Sequence, residues 1–117
     1  MDERKFKERT KRFALDVIRL VECLPRGRTA DVLGKQLLRA GTSVGANYRA
    51  ACRGKSRADI IAKLGLVEEE ADESLYWMEL LMEAKLTPVN MVEPLMAEAN
   101  ELLAMTVASI KTLRGRG

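Results

Sequence analysis

The sequence predicts an all-α protein, a single antiparallel, up-and-down four-helix bundle over residues 1–117, and three observations predict it. Apolar residues recur at alternating spacings of three and four along most of the chain, which keeps them on one face of a helix. The composition is 47% hydrophobic but only 4% aromatic, a balance that favours amphipathic helices over strands. The breaks between the periodic segments are short, and short connections make consecutive helices antiparallel neighbours. A chain of 117 residues suits one domain around one modest core.

The first helix is expected over residues 3 to 24, with Phe6, Thr10, Phe13, Val17, Leu20 and Leu24 facing inward and Pro25 and Gly27 stopping it. Lys5, Arg9, Arg12 and Arg19 follow the same spacing one position earlier, so a basic stripe flanks the buried one. Thr29 is the expected N-cap of the second helix, whose inner stripe reads Leu33, Leu37, Ala40, Val44, Asn47 and Ala51. Gly34, Gly41 and Gly45 each give up about 1 kcal/mol of helix propensity relative to alanine, and a repeated cost of that kind predicts close approach by another helix.

Ser56 caps a third helix from 57 to 85, with Ile60, Leu64, Val67, Ala71, Ser74, Met78 and Leu81 inward. Leu66, Trp77 and Leu80 lie beside that stripe and exceed what one core can bury, which predicts a subunit interface. The fourth helix runs to about Leu113 through Leu95, Ala99, Leu102, Thr106 and Ile110. Its start falls between 90 and 94, where Asn90 and Glu93 read as a capping box and Pro94 suits the first helical position.

Charge is unevenly placed around a net +3. Arg4, Lys5, Lys7, Arg9, Lys11 and Arg12 crowd the start, Arg49, Arg53, Lys55 and Arg57 form an acid-free run, and Lys111, Arg114 and Arg116 end the chain. Residues 68 to 83 hold acids and no base. Such asymmetry marks either an anionic partner or basic helices lying against an acidic one.

Histidine is absent, which removes the commonest general base and the usual triads, and no motif with metal-ligand spacing occurs. No enzyme activity, cofactor, metal or small-molecule substrate is therefore expected. Gly54, Lys55 and Ser56 lack the upstream glycine and preceding strand of a phosphate loop. Cys23 and Cys52 are expected as reduced packing thiols. No apolar stretch approaches the roughly 18 residues of a membrane span. The charged N-terminus does not read as a signal peptide, and a cytoplasmic protein is expected.

Asn47 reads as a buried amide fixing helix register, with Glu73 and then Glu70 as its expected partners, or else as a ligand contact. Lys63, Glu70 and Trp77 are spaced by sevens and line one stripe, where tryptophan anchors an interface or packs within its own bundle.

Between residues 42 and 82, Ser43, Val44, Gly45, Ala46 and Asn47 precede Ser56, then Lys63 and Leu64, then Glu70, Ala71, Glu73, Tyr76 and Trp77. This order and spacing closely resembles the four-helix bundle family that includes proteins encoded by intervening sequences in 23S ribosomal RNA genes. The resemblance implies a bundle that assembles into a ring of five subunits. It also extends to a basic accessory protein of diversity-generating retroelements that associates with nucleic acid and a reverse transcriptase. One departure is visible: family members often carry Glu where this chain has Ala50.

The leading expectation is a non-enzymatic homo-oligomeric adaptor that binds RNA or DNA through phosphate contacts from Lys5, Arg9, Arg12, Arg49, Arg53 and Arg57. The alternative is a purely structural or protein-interaction bundle whose charges serve solubility and subunit contacts.

Overall fold

In the computed structural model, which describes residues 2–115, the periodic segments form four helices: α1 (Glu3–Glu22), α2 (Arg28–Cys52), α3 (Arg57–Glu83) and α4 (Val89–Gly115). Arg116, part of the terminal basic cluster, lies outside the described residues. Each helix packs on the next in sequence, and α4 returns to lie more loosely against α1. The result is an antiparallel bundle 49 Å long and 20 Å across.

Local chemistry starts and stops the helices. The Asp2 carboxylate accepts a hydrogen bond from the Lys5 amide at 3.0 Å and caps α1. At the start of α3, the Ser56 hydroxyl accepts from the Asp59 amide at 3.1 Å, while the Asp59 carboxylate accepts from the Lys55 amide at 3.0 Å. These reciprocal bonds satisfy the Asp59 amide, which the helix start leaves unpaired, and tie the Lys55 amide of the preceding turn to the same end. Lys63 and that amide hold the Asp59 carboxyl below its ordinary value.

Two expected helix starts move. The cap of α2 is Gly27 and not Thr29; its φ of 157° is open to glycine, and no side chain bonds the first amides. The fourth helix begins at Val89, directly after Pro88, so Pro94 sits inside it and Asn90 with Glu93 forms no capping box. Pro94 offers no amide to the Asn90 carbonyl, and both residues are exposed, so that oxygen is open to solvent rather than buried.

The inward stripes of α1, α3 and α4 lie where the periodicity places them, with Leu24, Ile60, Leu95 and Leu113 at the half-buried ends. Thr10, Ser74 and Thr106 are buried with their hydroxyls donated to carbonyls of their own helices, at 3.1, 2.8 and 2.8 Å. In α2 the buried set is Ala30, Gly34, Leu37, Ala40, Gly41, Val44, Tyr48 and Ala51. Tyr48 therefore takes the inward place expected of Asn47, with its ring 4.6 Å from that of Phe6. The glycines meet α1: a Cβ on Gly41 would lie 2.9 Å from both Val17 methyls, and one on Gly45 would lie 3.2 Å from the Thr10 hydroxyl.

Candidate nucleic-acid interface

Up-and-down topology brings the start of α1, the end of α2, the start of α3 and the end of α4 to one pole of the bundle. The three basic clusters, far apart in sequence, meet there. Arg4 and Lys5 project from the first turn of α1, Arg49 and Arg53 from α2 and its end, Lys55 and Arg57 from the turn into α3, and Lys111 and Arg114 from α4, while Lys11 and Arg12 extend the charge toward the middle of α1; all are exposed. Most make no ion pair with any described residue; Arg12 approaches Asp16 at 3.9 Å, and Asp16 is itself held by Arg19 at 2.8 Å.

Arg9 departs from the expected stripe. Its guanidinium forks onto Glu98 of α4 at 2.7 and 3.1 Å and reaches Glu101 at 3.1 Å. The hydrogen bond to Glu98 raises its already high pKa. Arg9 thus ties α1 to α4 and has its charge answered within the chain.

A second basic row on α1, Arg4, Lys7 and Lys11, was not singled out as a site in the sequence. It follows the same three-and-four spacing on the side facing α2. With Arg49 it rims a groove of about 580 Å³ whose floor includes Thr42, Gly45 and Ala46. Two acids touch this row: Glu8 lies in the groove, and Glu3 pairs with Lys7 at 3.4 Å.

A second cavity, about 550 Å³, lies at the same pole between α1 and α4. Tyr48 and Cys52 of α2 line it, Ile60 and Leu64 of α3 form one wall, and Thr112 and Leu113 of α4 another. Burial pushes the Tyr48 phenol up, as does its hydrogen bond with Cys52, so it stays protonated; burial also raises the Cys52 thiol.

The α2–α3 face holds the remaining candidates. Asn47 is half-buried, and its amide donates to the Ser43 carbonyl of its own helix at 2.9 Å; the expected bonds to Glu73 and Glu70 do not form. Both carboxylates instead take Arg39, with Glu70 at 3.1 Å and Glu73 closer still. The Trp77 indole donates to Glu73 at 3.1 Å, and Lys63 pairs with Asp59 one turn earlier on α3. Beside this network Leu66 is 45% exposed and Tyr76 53% exposed, while Trp77 and Leu80 are half-buried. Among the described residues no group of three acids or cysteines is placed to hold a metal ion. No helix among them is long and apolar enough to cross a membrane.

Fold and surface together define a four-helix bundle with one strongly basic pole and an apolar stripe on its third helix. The chain belongs to the 23S rRNA-intervening sequence protein family, whose model matches residues 3–108. It is also similar to a crystallised protein of unknown function from the S23 ribosomal protein family of Bacteroides thetaiotaomicron, at 34% identity and a TM-score of 0.87 over 95% of this chain and 99% of that one. No curated protein matches it.

Proposed function

We propose that the protein is a non-enzymatic cytoplasmic adaptor that binds RNA or DNA through phosphate contacts at its basic pole and self-associates, in a ring of five, through the α3 stripe. The observation that carries this reading is the meeting of three basic clusters at one end of the bundle with few carboxylates to answer them. Arg4, Lys7, Lys11 and Arg49 form its groove, and Lys5, Arg12, Arg53 and Arg57 its surroundings; Arg9 serves the α1–α4 seam instead. A polyanion gains at such a surface by releasing its counterions, and base identity matters little to that gain.

Titration of labelled RNA at several salt concentrations tests it. Log affinity should fall by roughly 0.7 to 0.9 per log unit of salt for each phosphate neutralised. Changing Lys11 and Arg49 to Glu should weaken binding and flatten that slope, whereas Arg9→Gln should leave the slope in place. Absence of binding at low salt would favour the purely structural bundle.

A further inference from the structure

We infer that the cavity between α1 and α4 seats one unpaired base of a single-stranded nucleic acid, so that the basic pole prefers single strands to duplexes. This rests on the phosphate-binding reading and adds a base site to it.

The cavity exists because α4 outruns α1. Arg9 lies opposite Glu98, Glu101 and Met105, so in this antiparallel pair α1 begins near the level of Ala108 while α4 continues to Gly115. Beyond the first turn of α1, the α1 side of α4 therefore has no helix against it. The apolar side chains of Ile60, Leu64 and Leu113 are left to wall an opening of about 550 Å³, within the rough 300–1,000 Å³ range of small-ligand sites.

Its polar groups suit the edge of a base. The Tyr48 hydroxyl and the Cys52 thiol lie together on the floor, Thr112 stands at the side and the Glu3 carboxylate at the mouth. These supply donors and acceptors around apolar walls, and Phe6 holds the Tyr48 ring in place from within the core. The surrounding charge selects the kind of ligand. Arg53 follows Cys52 at the end of α2, and Arg57 precedes Ile60 by three residues, one turn before it on the same side of α3. Whatever inserts an apolar face here leaves its remainder near these two arginines, and a nucleotide has that division between base and phosphate. A duplex presents the same phosphates with its bases stacked and paired, and must break a pair to fill the site.

The test uses the whole chain and a short RNA carrying 2-aminopurine, as a single strand, as a duplex of equal length, and as the mononucleotide. The single strand should bind about tenfold more tightly than the duplex at equal salt, the scale of one base contact, and its fluorescence should rise as the base leaves its stack. Ala108→Trp, an exposed position at the mouth, should bring the single strand down to the duplex's affinity. In a Cys23→Ser protein, where Cys52 is the remaining thiol, alkylation should be slowed by the single strand far more than by duplex or mononucleotide. Equal affinities, an unchanged probe and an unprotected thiol overturn the base site and leave the salt-dependent contacts standing. Protection by the mononucleotide equal to that by the strand overturns the strand as ligand. No binding of either form at low salt removes both readings.

Discussion

At Gly41 the absence of a single methyl group sets how closely α1 and α2 approach. A Cβ there would press on both Val17 methyls at 2.9 Å, and Val17 is fully buried with no room to retreat. Overpacking of this kind costs about 1–3 kcal/mol, more than the roughly 1 kcal/mol that alanine adds in helix propensity. Gly65 in α3 offers the opposite case, since nothing lies within 4 Å of its would-be Cβ. Urea denaturation should therefore show Gly41→Ala destabilised by about 1–2 kcal/mol and Gly65→Ala stabilised by up to about 1 kcal/mol. Adding Val17→Ala to Gly41→Ala should cost less than Val17→Ala alone, because the clash disappears with the methyls. The glycines thus announced a close contact in the sequence without saying which helix made it. The same contact explains the reversal at Asn47 and Tyr48. Close approach by α1 widens the buried arc of α2 toward Gly34, Gly41 and Tyr48, and Asn47 is left at the opposite margin, bonding its own helix.

Among the elements, the end of α3 uses a conformation that its residue resists. Ala84 ends the helix, Lys85 turns to a φ of 59°, and the Lys85 and Leu86 amides bond the Met82 and Leu81 carbonyls at 3.0 and 2.9 Å. This is a Schellman motif, whose left-handed position is ordinarily glycine because a Cβ costs about 1–2 kcal/mol there. Lys85→Gly should accordingly raise the thermal midpoint with a gain of about 1 kcal/mol, offset in part by the greater freedom of glycine in the unfolded chain. A lower midpoint would show that the Lys85 side chain contributes more than its backbone costs. The missing glycine is also why the sequence placed the end of α3 at 85 rather than 83. At α4, Pro94 imitated a first-turn proline although the helix had already begun behind Pro88; at α3, Ser56 and Asp59 made a legible start because their side chains carry the cap themselves.

For the whole molecule, the basic clusters were legible as clusters, and their union at one pole followed from helix order once the bundle was up-and-down. The loss of Arg9 to the α1–α4 seam was not legible, since its partner Glu98 lies 89 residues away. The cavity was hidden for a related reason: it depends on the axial offset of α1 against α4, which no periodicity records. The α3 stripe remains partly uncovered, with Leu66 and Tyr76 exposed some 15 Å apart along the helix at about 1.5 Å per residue. The proposed subunit contact rests on these exposed side chains together with half-buried Trp77 and Leu80. Trp77 is a poor place to test it, because its indole also packs on the core and bonds Glu73. Leu66→Glu touches the exposed stripe and leaves the core intact. Light scattering should show a multimer for the unaltered chain and a shift toward monomer for Leu66→Glu, with unchanged helical content. Since each subunit brings one pole, the multimer should hold a long strand about a hundredfold more tightly than the Leu66→Glu monomer, through effective concentration alone. A short oligonucleotide that spans one pole should bind both proteins alike. A monomeric unaltered chain would refute the assembly, and an equal loss on short and long strands would place Leu66 in the nucleic-acid contact rather than between subunits.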